Sequence, residues 1–220
     1  MSGPKDIAPC EQRWDSAKTA HWYSTQRFRT RRSLERDLVQ IQTLLDRHSI
    51  RRPLNVLDVP CGTGRLAPML RGVAKRLVSA DVARPMLLQA RQTAPSGEVH
   101  IQADLRALPF DDASFDLVVC CRVLHHQNTT EELAAIVREL ARVSRGWIIA
   151  SFWDHASLPA LRTRLGLKPS ETRRAVRRAL VRRIVENNGA RVVSFRCALR
   201  WISQQTFFAA TVSKEKRVHP

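Results

Sequence analysis

The chain has 220 residues, 44% of them hydrophobic, which suits one sizeable core and is short for two ordinary domains. No run approaches the roughly 20 apolar residues of a membrane-spanning helix, and the N-terminus is polar, so we expect a cytoplasmic protein without an export signal. The five cysteines are scattered and form no C-x-x-C pair, which argues against a disulfide framework and predicts reduced thiols and no metal site.

The charge balance is strongly basic. Lysine and arginine number 37 against 20 acidic residues, so the formal net charge is +17. Such an excess attracts polyanions, namely nucleic acid, acidic membranes or phosphorylated substrates. The alternative is a solvated basic surface that binds nothing, and the composition leaves both readings open.

The first three quarters of the chain alternate helix and strand. An N-terminal arm with a lid helix, residues 1–53, becomes helical in pattern from Trp22, with one apolar face formed by Leu34, Leu38, Ile41 and Leu45. The apolar run Leu54–Val59 predicts a buried parallel strand, followed by a glycine turn and a helix over Arg65–Arg76. Further strands are predicted at 77–82, 98–105, 115–121 and 146–153, with helices at 84–94 and 129–144 between them. Thr129 or Thr130 can cap the second of these helices.

An arginine-rich insertion at about 155–189 interrupts this alternation. Within it, residues 170–188 predict a helix that Ser170 caps and Gly189 ends, with one packed face and one cationic face. Two strand-like runs, 190–201 and 204–213, are separated by little more than a turn and predict an antiparallel pair. The fold class is therefore α/β: residues 54–220 form a Rossmann-like, doubly wound domain with a seven-stranded, mostly parallel sheet and an antiparallel C-terminal hairpin.

The turn after the first predicted strand, in LDVPCGTGRL, carries the strongest chemical signal. Gly62 and Gly64 allow a sharp turn and close approach to a ligand, and with Ala67 they also fit a dinucleotide fingerprint. However, a carboxylate at Asp58 beside this loop would repel a pyrophosphate, whereas it suits the ammonium and sulfonium charges of S-adenosylmethionine. Asp81, after the second strand, can accept hydrogen bonds from two ribose hydroxyls.

The segments VLDVPCGTGRL, SADVARPML and ADLRALPFDDASFDLVVCCRVLHH resemble the ordered motifs of class I S-adenosylmethionine-dependent methyltransferases. The branch most similar is the small-molecule group typified by the ubiquinone and menaquinone C-methyltransferases. The resemblance implies that Asp58 and the glycine loop hold the methionine part, Asp81 the ribose and Asp104 the adenine. Pro60 departs from the pattern, since the family usually has glycine there. The cofactor-binding residues implied are Asp58, Pro60, Cys61, Gly62, Thr63, Gly64, Asp81, Val82, Met86, Ala103, Asp104, Leu105, Cys120 and Arg122.

Two adjacent histidines are the candidates for catalysis. His125 and His126 follow the fourth predicted strand, where either can take a proton from a hydroxyl or carbon acceptor, although packing is the simpler role for each. Aromatic residues that could cover the cofactor stand in the arm and after the fifth strand: Trp22, Tyr23, Phe28 and Trp153.

These patterns favour a methyltransferase that converts S-adenosyl-L-methionine to S-adenosyl-L-homocysteine and acts on a small-molecule or lipid-like acceptor. The arginine-rich helix 170–188 is expected to receive an anionic substrate or to lie on an acidic membrane at its inner face. Two alternatives remain: methylation of tRNA, rRNA or protein, which only the charge supports, and a non-catalytic or nicotinamide-binding module.

Overall fold

The computed structural model describes residues 31–51, 54–167, 174–199 and 202–212. Within these ranges eight strands form one sheet, in the order β3-β2-β1-β4-β5-β8-β7, with β6 paired to the end of β5. The strands are β1 (Leu54–Asp58), β2 (Ala74–Asp81), β3 (Val99–Gln102), β4 (Phe115–Cys120), β5 (Ser144–Asp154), β6 (Ala175–Val176), β7 (Ala190–Cys197) and β8 (Gln205–Val212).

Strands β1 to β6 pair in parallel, and β8 runs antiparallel to both β5 and β7. The mostly parallel sheet and its antiparallel C-terminal hairpin are therefore confirmed. The helices of the described ranges are α1 (Arg31–Arg47), α2 (Ala67–Leu70), α3 (Arg84–Gln92), α4 (Thr130–Val143), α5 (Leu158–Arg164) and α6 (Arg178–Asn187), with a short 3₁₀ turn at Leu124–His126.

The sheet has an apolar core on each face because its central strands carry apolar side chains on both sides. Within β1, Leu57 belongs to the core that contains residues of α4 and α6, whereas Val56 belongs to the opposite core. That second core includes Ile41 and Leu45 of α1, which confirms the apolar face expected for this helix. Helices thus cover both faces, as in a doubly wound domain.

Helix α4 begins as its sequence predicts. The hydroxyl of Thr129 accepts from the backbone N–H of Glu132, and the Glu132 carboxylate accepts from the backbone N–H of Thr129, which completes a capping box. Three apolar side chains of this helix, Leu133, Ile136 and Leu140, are buried against the sheet.

The helix predicted over Arg65–Arg76 is wrong in extent. Only Ala67–Leu70 is helical, and β2 already begins at Ala74. Gly72 has little helix propensity, and its backbone N–H donates instead to the carbonyl of Met69 at 2.9 Å, so the chain turns here. The third strand is also shorter than predicted, since it ends at Gln102.

The helix predicted over 170–188 begins later, at Arg178. Ala175 and Val176 instead pair with the last two residues of β5, beyond the point where the pairing of β4 with β5 ends. An open strand edge is a favourable partner for an extended segment, which explains the difference. Ser170 lies outside the described residues, as do Trp22, Tyr23 and Phe28 of the predicted lid. No helix in the described ranges is long and apolar enough to span a membrane.

Candidate functional site

A cavity of about 330 Å³ opens at the carboxyl ends of the parallel strands, where this sheet architecture places ligands. Its volume is that of an ordinary small-ligand pocket. Twelve of the residues predicted from the sequence line it: Pro60, Cys61, Gly62, Asp81, Val82, Met86, Ala103, Asp104, Leu105, Arg122, His125 and His126. The strand order thus brings together residues from segments far apart in sequence.

Asp58 is fully buried at the end of β1, next to the cavity residue Val59, but does not itself line the cavity. Both of its carboxylate oxygens lack a hydrogen-bond partner among the described residues. Burial raises its pKa to about 7, and the negative charges of Asp81 and Glu98 add to this effect while Arg65 opposes it. An ionised, buried carboxylate without a hydrogen-bond partner is destabilising, so a positively charged ligand nearby would stabilise Asp58.

Asp81 ends β2 and reaches the cavity from the neighbouring strand. Its carboxylate accepts from the backbone N–H of Gly62 at 2.8 Å and from that of Ala83 at 2.9 Å. Burial raises the pKa of Asp81, and these backbone hydrogen bonds oppose the rise. The contact with Gly62 ties the acid to the glycine turn.

The two loop glycines have different structural roles. Gly62 lines the cavity with φ +55°, a backbone conformation that favours glycine. Gly64 has φ +77°, and a Cβ there would meet the Cβ of Ala90 in α3 at 3.2 Å, so it allows the loop to pack on this helix. Gly64, Thr63 and the fully buried Cys120 are not among the residues that line the cavity.

Asp104 lines the cavity beyond β3 and is paired with Arg106. The guanidinium donates to both carboxylate oxygens at 2.7–3.1 Å, and the backbone N–H of Arg106 adds a further bond at 2.8 Å. These hydrogen bonds lower the pKa of Asp104, so it is ionised at neutral pH. Leu105 and Met86 line the cavity alongside it.

Three aromatic rings, two after β4 and one near the end of β5, form an aromatic wall of the cavity. His125 is buried and stacks on Trp153 with ring centroids 4.7 Å apart and planes 7° apart. The ring of His126 lies 4.4 Å from that of His125 and is only partly buried. Trp153 donates its ring N–H to the side-chain oxygen of Gln205 at 3.1 Å.

Two charged residues of the arginine side of the site, Arg65 and Asp37, are among those that the sequence analysis did not predict. Arg65 lines the cavity, and Asp37 of α1 binds the guanidinium groups of both Arg65 and Arg122. Asp37 stands four residues before Ile41, so it lies on the apolar stripe of a helix that was otherwise predicted correctly. An acidic residue on the apolar face of a helix is unusual, and this was the sequence signal that could have identified Asp37. Among the described residues, no group of three or more histidine, cysteine or acidic side chains is arranged to hold a metal ion.

Residues 57–149 match the family model described as a methyltransferase domain. The chain is 33% identical over 120 residues to the malonyl-[acyl-carrier protein] O-methyltransferase of Pseudescherichia vulneris, a match covering 54% of this chain and 46% of that protein. It is 44% identical over 71 residues to the demethylmenaquinone methyltransferase of Thermus thermophilus, covering 30% of this chain and 32% of that protein. The chain thus spans half or less of these two relatives.

Solved structures share the fold. The magnesium protoporphyrin IX methyltransferase of Synechocystis PCC 6803 with bound S-adenosylhomocysteine has a TM-score of 0.66 at 21% identity, covering 97% of this chain and 90% of that one. An S-adenosylmethionine-dependent methyltransferase of Clostridium acetobutylicum has a TM-score of 0.68 at 14% identity, covering 89% of this chain and 98% of that one. At these identities the likeness establishes the architecture.

Proposed function

Given that the chain carries a methyltransferase domain on the class I fold, we propose that it is an S-adenosylmethionine-dependent methyltransferase acting on a small-molecule or lipid-like acceptor. One observation carries the proposal. Two buried carboxylates with raised pKa values, Asp58 and Asp81, stand at the ends of adjacent strands beside the Gly62 turn. Such a site favours a cationic ligand, and it is unfavourable for the pyrophosphate of a dinucleotide.

The span of the cavity fits this cofactor. Its wall runs from Asp104 after β3, past Asp81 and Gly62, to Arg122 after β4. Neighbouring strands lie ~4.8 Å apart, so the three spacings from β3 to β4 amount to ~14 Å. An extended nucleoside that bears an amino-acid side arm is of this length. When bound, S-adenosylmethionine supplies a methyl group on a positively charged sulfur.

Each part of the cofactor has a matching set of residues in the proposal. Asp81 accepts hydrogen bonds from the ribose hydroxyls, and Met86 and Leu105 pack against the adenine. Asp104 accepts from the adenine amino group while it keeps its pairing with Arg106. Asp58 compensates the ammonium and sulfonium charges from behind the loop. The partnerless oxygens of Asp58 support this role, because a positive ligand supplies the interaction that the described residues lack.

The acceptor end lies beside the aromatic wall. Methyl transfer is an in-line displacement, so the main contribution of the protein is to hold the acceptor ~3 Å from the methyl group in a dry pocket. His126 faces the cavity and takes the proton of a hydroxyl or carbon acceptor. His125 is buried between His126 and Trp153, so it positions these rings.

We extend the proposal to an anionic or lipid-like partner at the basic face of α6. Val181 and Ile184 pack this helix on the domain, whereas Arg182 and Arg183 are exposed. On α5, Leu158 and Leu161 are 48% and 41% exposed, which suits an acyl chain or a lipid surface. The test is sedimentation with vesicles that contain or lack phosphatidylglycerol, and an Arg182→Glu/Arg183→Glu variant should bind the anionic vesicles at least tenfold more weakly. Equal binding of both proteins would contradict this part of the proposal.

Methyl transfer from radiolabelled S-adenosylmethionine to a small-metabolite and lipid extract, and in parallel to total RNA and to total protein, tests the main proposal. The wild-type protein should label a small molecule or lipid, and Asp81→Ala should reduce the rate on the order of 100-fold through loss of cofactor binding. Asp111→Ala is the matched control, because Asp111 is exposed and does not line the cavity. If label appears only in RNA or protein, the proposed acceptor class is wrong. Full activity of the Asp81→Ala variant would contradict the proposed cofactor site.

A further inference from the structure

We propose that Arg65 and Arg122, held in place by Asp37 of α1, form a carboxylate-binding subsite in the cavity. The inference rests on the proposed function, because it concerns the same cavity. It adds the class of ligand group that Arg122 binds, Arg65 as a second binding residue, and Asp37 of α1 as a positioning residue.

Three side chains from separate segments form this subsite. The Asp37 carboxylate accepts from Nη1 of Arg65 at 2.9 Å, and from Nε and Nη2 of Arg122 at 2.6 and 3.1 Å. Arg65 also donates to the sulfur of Cys121 at 3.2 Å. The exposed fractions of the Asp37, Arg65 and Arg122 side chains are 3%, 11% and 20%. Charge-assisted hydrogen bonds in such a sheltered place hold the guanidinium groups in fixed orientations.

The position of the pair within the cavity points to a ligand group. The acids Asp58, Asp81 and Asp104 stand at the β1, β2 and β3 part of the site, whereas Arg122 follows β4 and Arg65 follows the glycine loop. Arg106 balances the charge of Asp104 at the β3 end, and Glu132 of the lining is held in its capping box. From Asp81 and the buried Asp58 toward Arg65 and Arg122, the charge beside the cavity therefore changes from acidic to basic. Electrostatic complementarity then requires a ligand that is cationic in its middle and anionic at this end.

A carboxylate fits the arginine pair in charge and in hydrogen-bonding geometry. The guanidinium group is planar and carries five N–H donors in a fork that matches a carboxylate, so it can hold Asp37 and bind a second acid. Burial raises the pKa of the Cys121 thiol, so this neighbour stays neutral and does not compete as an anion.

Asp37 acts through the two arginines, and the direction of its effect is diagnostic. If Asp37 merely competed with the ligand, its removal would raise the local positive charge and tighten carboxylate binding. If it positions the guanidinium groups, its removal lets them move and weakens binding. We infer the second, since its carboxylate joins both arginines and is itself buried.

Calorimetry with two cofactor analogues tests the subsite. S-adenosylhomocysteine carries a carboxylate, and its decarboxylated analogue keeps the adenosine, sulfur and amine without it. The wild-type protein should bind S-adenosylhomocysteine on the order of 10-fold to 100-fold more tightly than the decarboxylated analogue. In Arg122→Gln, Arg65→Gln and Asp37→Asn, the ratio of the two affinities should fall toward one. Arg76→Gln and Asp46→Asn are the controls, because both residues are exposed and neither lines the cavity. The ratio of the two affinities is insensitive to a general loss of folded protein.

A second arm distinguishes a carboxylate of the cofactor from one of the acceptor. Octanoate is titrated into protein saturated with S-adenosylhomocysteine. If the carboxylate belongs to the acceptor, the analogue ratio stays unchanged in the variants and octanoate binding falls at least tenfold. If the arginine variants change neither the ratio of the analogue affinities nor the affinity for octanoate, the subsite is overturned. If Asp37→Asn binds the carboxylate ligand more tightly than the wild type does, the positioning role of Asp37 is overturned. Failure of the wild-type protein to bind S-adenosylhomocysteine at all would instead contradict the proposed function.

Discussion

Replacing Asp58 by asparagine should stabilise the ligand-free protein and weaken cofactor binding. Burial raises the pKa of Asp58 from 3.8 to about 7, and neither carboxylate oxygen has a partner among the described residues. A rise of about three pKa units, at ~1.4 kcal/mol each, corresponds to about 4 kcal/mol of lost stability once the carboxyl group is ionised. Asparagine carries no charge, so the Asp58→Asn variant avoids this loss, less the smaller cost of burying its own amide.

The expected stabilisation depends on pH. Well below pH 3.8 the carboxyl group is protonated in both folded and unfolded chains and has no effect on stability. Between 3.8 and about 7 the unfolded chain releases the proton while the folded chain keeps it, so wild-type stability falls as the pH rises. The difference in unfolding free energy between variant and wild type should therefore grow by about 2 kcal/mol between pH 5 and pH 8, because the cost of burying the asparagine amide is the same at both.

Urea unfolding followed by circular dichroism at the two pH values measures this difference. Asp111→Asn serves as the control, because Asp111 is exposed and the exchange there should leave the pH dependence unchanged. The reasoning is refuted if Asp58→Asn is less stable than the wild type near pH 8, or if the difference between them is the same at both pH values.

Two further changes test the glycine loop and the aromatic wall. Gly64→Ala should lower the unfolding free energy by about 2 kcal/mol, because φ is +77° and the new Cβ meets Ala90. Gly97→Ala is the control: φ is +85° but the space around it is open, so the loss should be only about 1 kcal/mol. Equal losses of the two variants in thermal unfolding would contradict the packing role of Gly64. His126→Gln should lower kcat on the order of 100-fold and leave the Kd for S-adenosylhomocysteine within about twofold, and an unchanged kcat would exclude His126 as the base.

Local sequence patterns predicted the framework of the fold. The apolar residues of β1 and β4 and the Thr129 cap of α4 are signals carried by neighbouring positions, and the structure confirms all three elements. The resemblance to class I methyltransferases rested on the segment around Asp58 and Gly62, and it is confirmed by the matching methyltransferase domain model, while the solved structures confirm the fold. The roles assigned to the individual cofactor-binding residues remain predictions.

Long-range pairing explains what the sequence did not predict. Strand β6 forms because Ala175 pairs with Trp153 of β5. The alternating pairs of arginine and apolar residues in this segment predict a helix and do not indicate that contact. Asp37 contacts Arg65 and Arg122, which lie 28 and 85 positions away along the chain. Whether a buried acid is paired depends on residues that only the tertiary fold brings near it.

Isothermal titration of the purified wild-type protein with S-adenosylhomocysteine and, separately, with NAD measures which ligand the cavity prefers. The acids at the ends of β1 and β2 predict micromolar or tighter binding of S-adenosylhomocysteine and at least 100-fold weaker binding of NAD, whose pyrophosphate would face Asp58 and Asp81. Equal affinities, or a preference for NAD, would contradict the assignment of this cavity to S-adenosylmethionine.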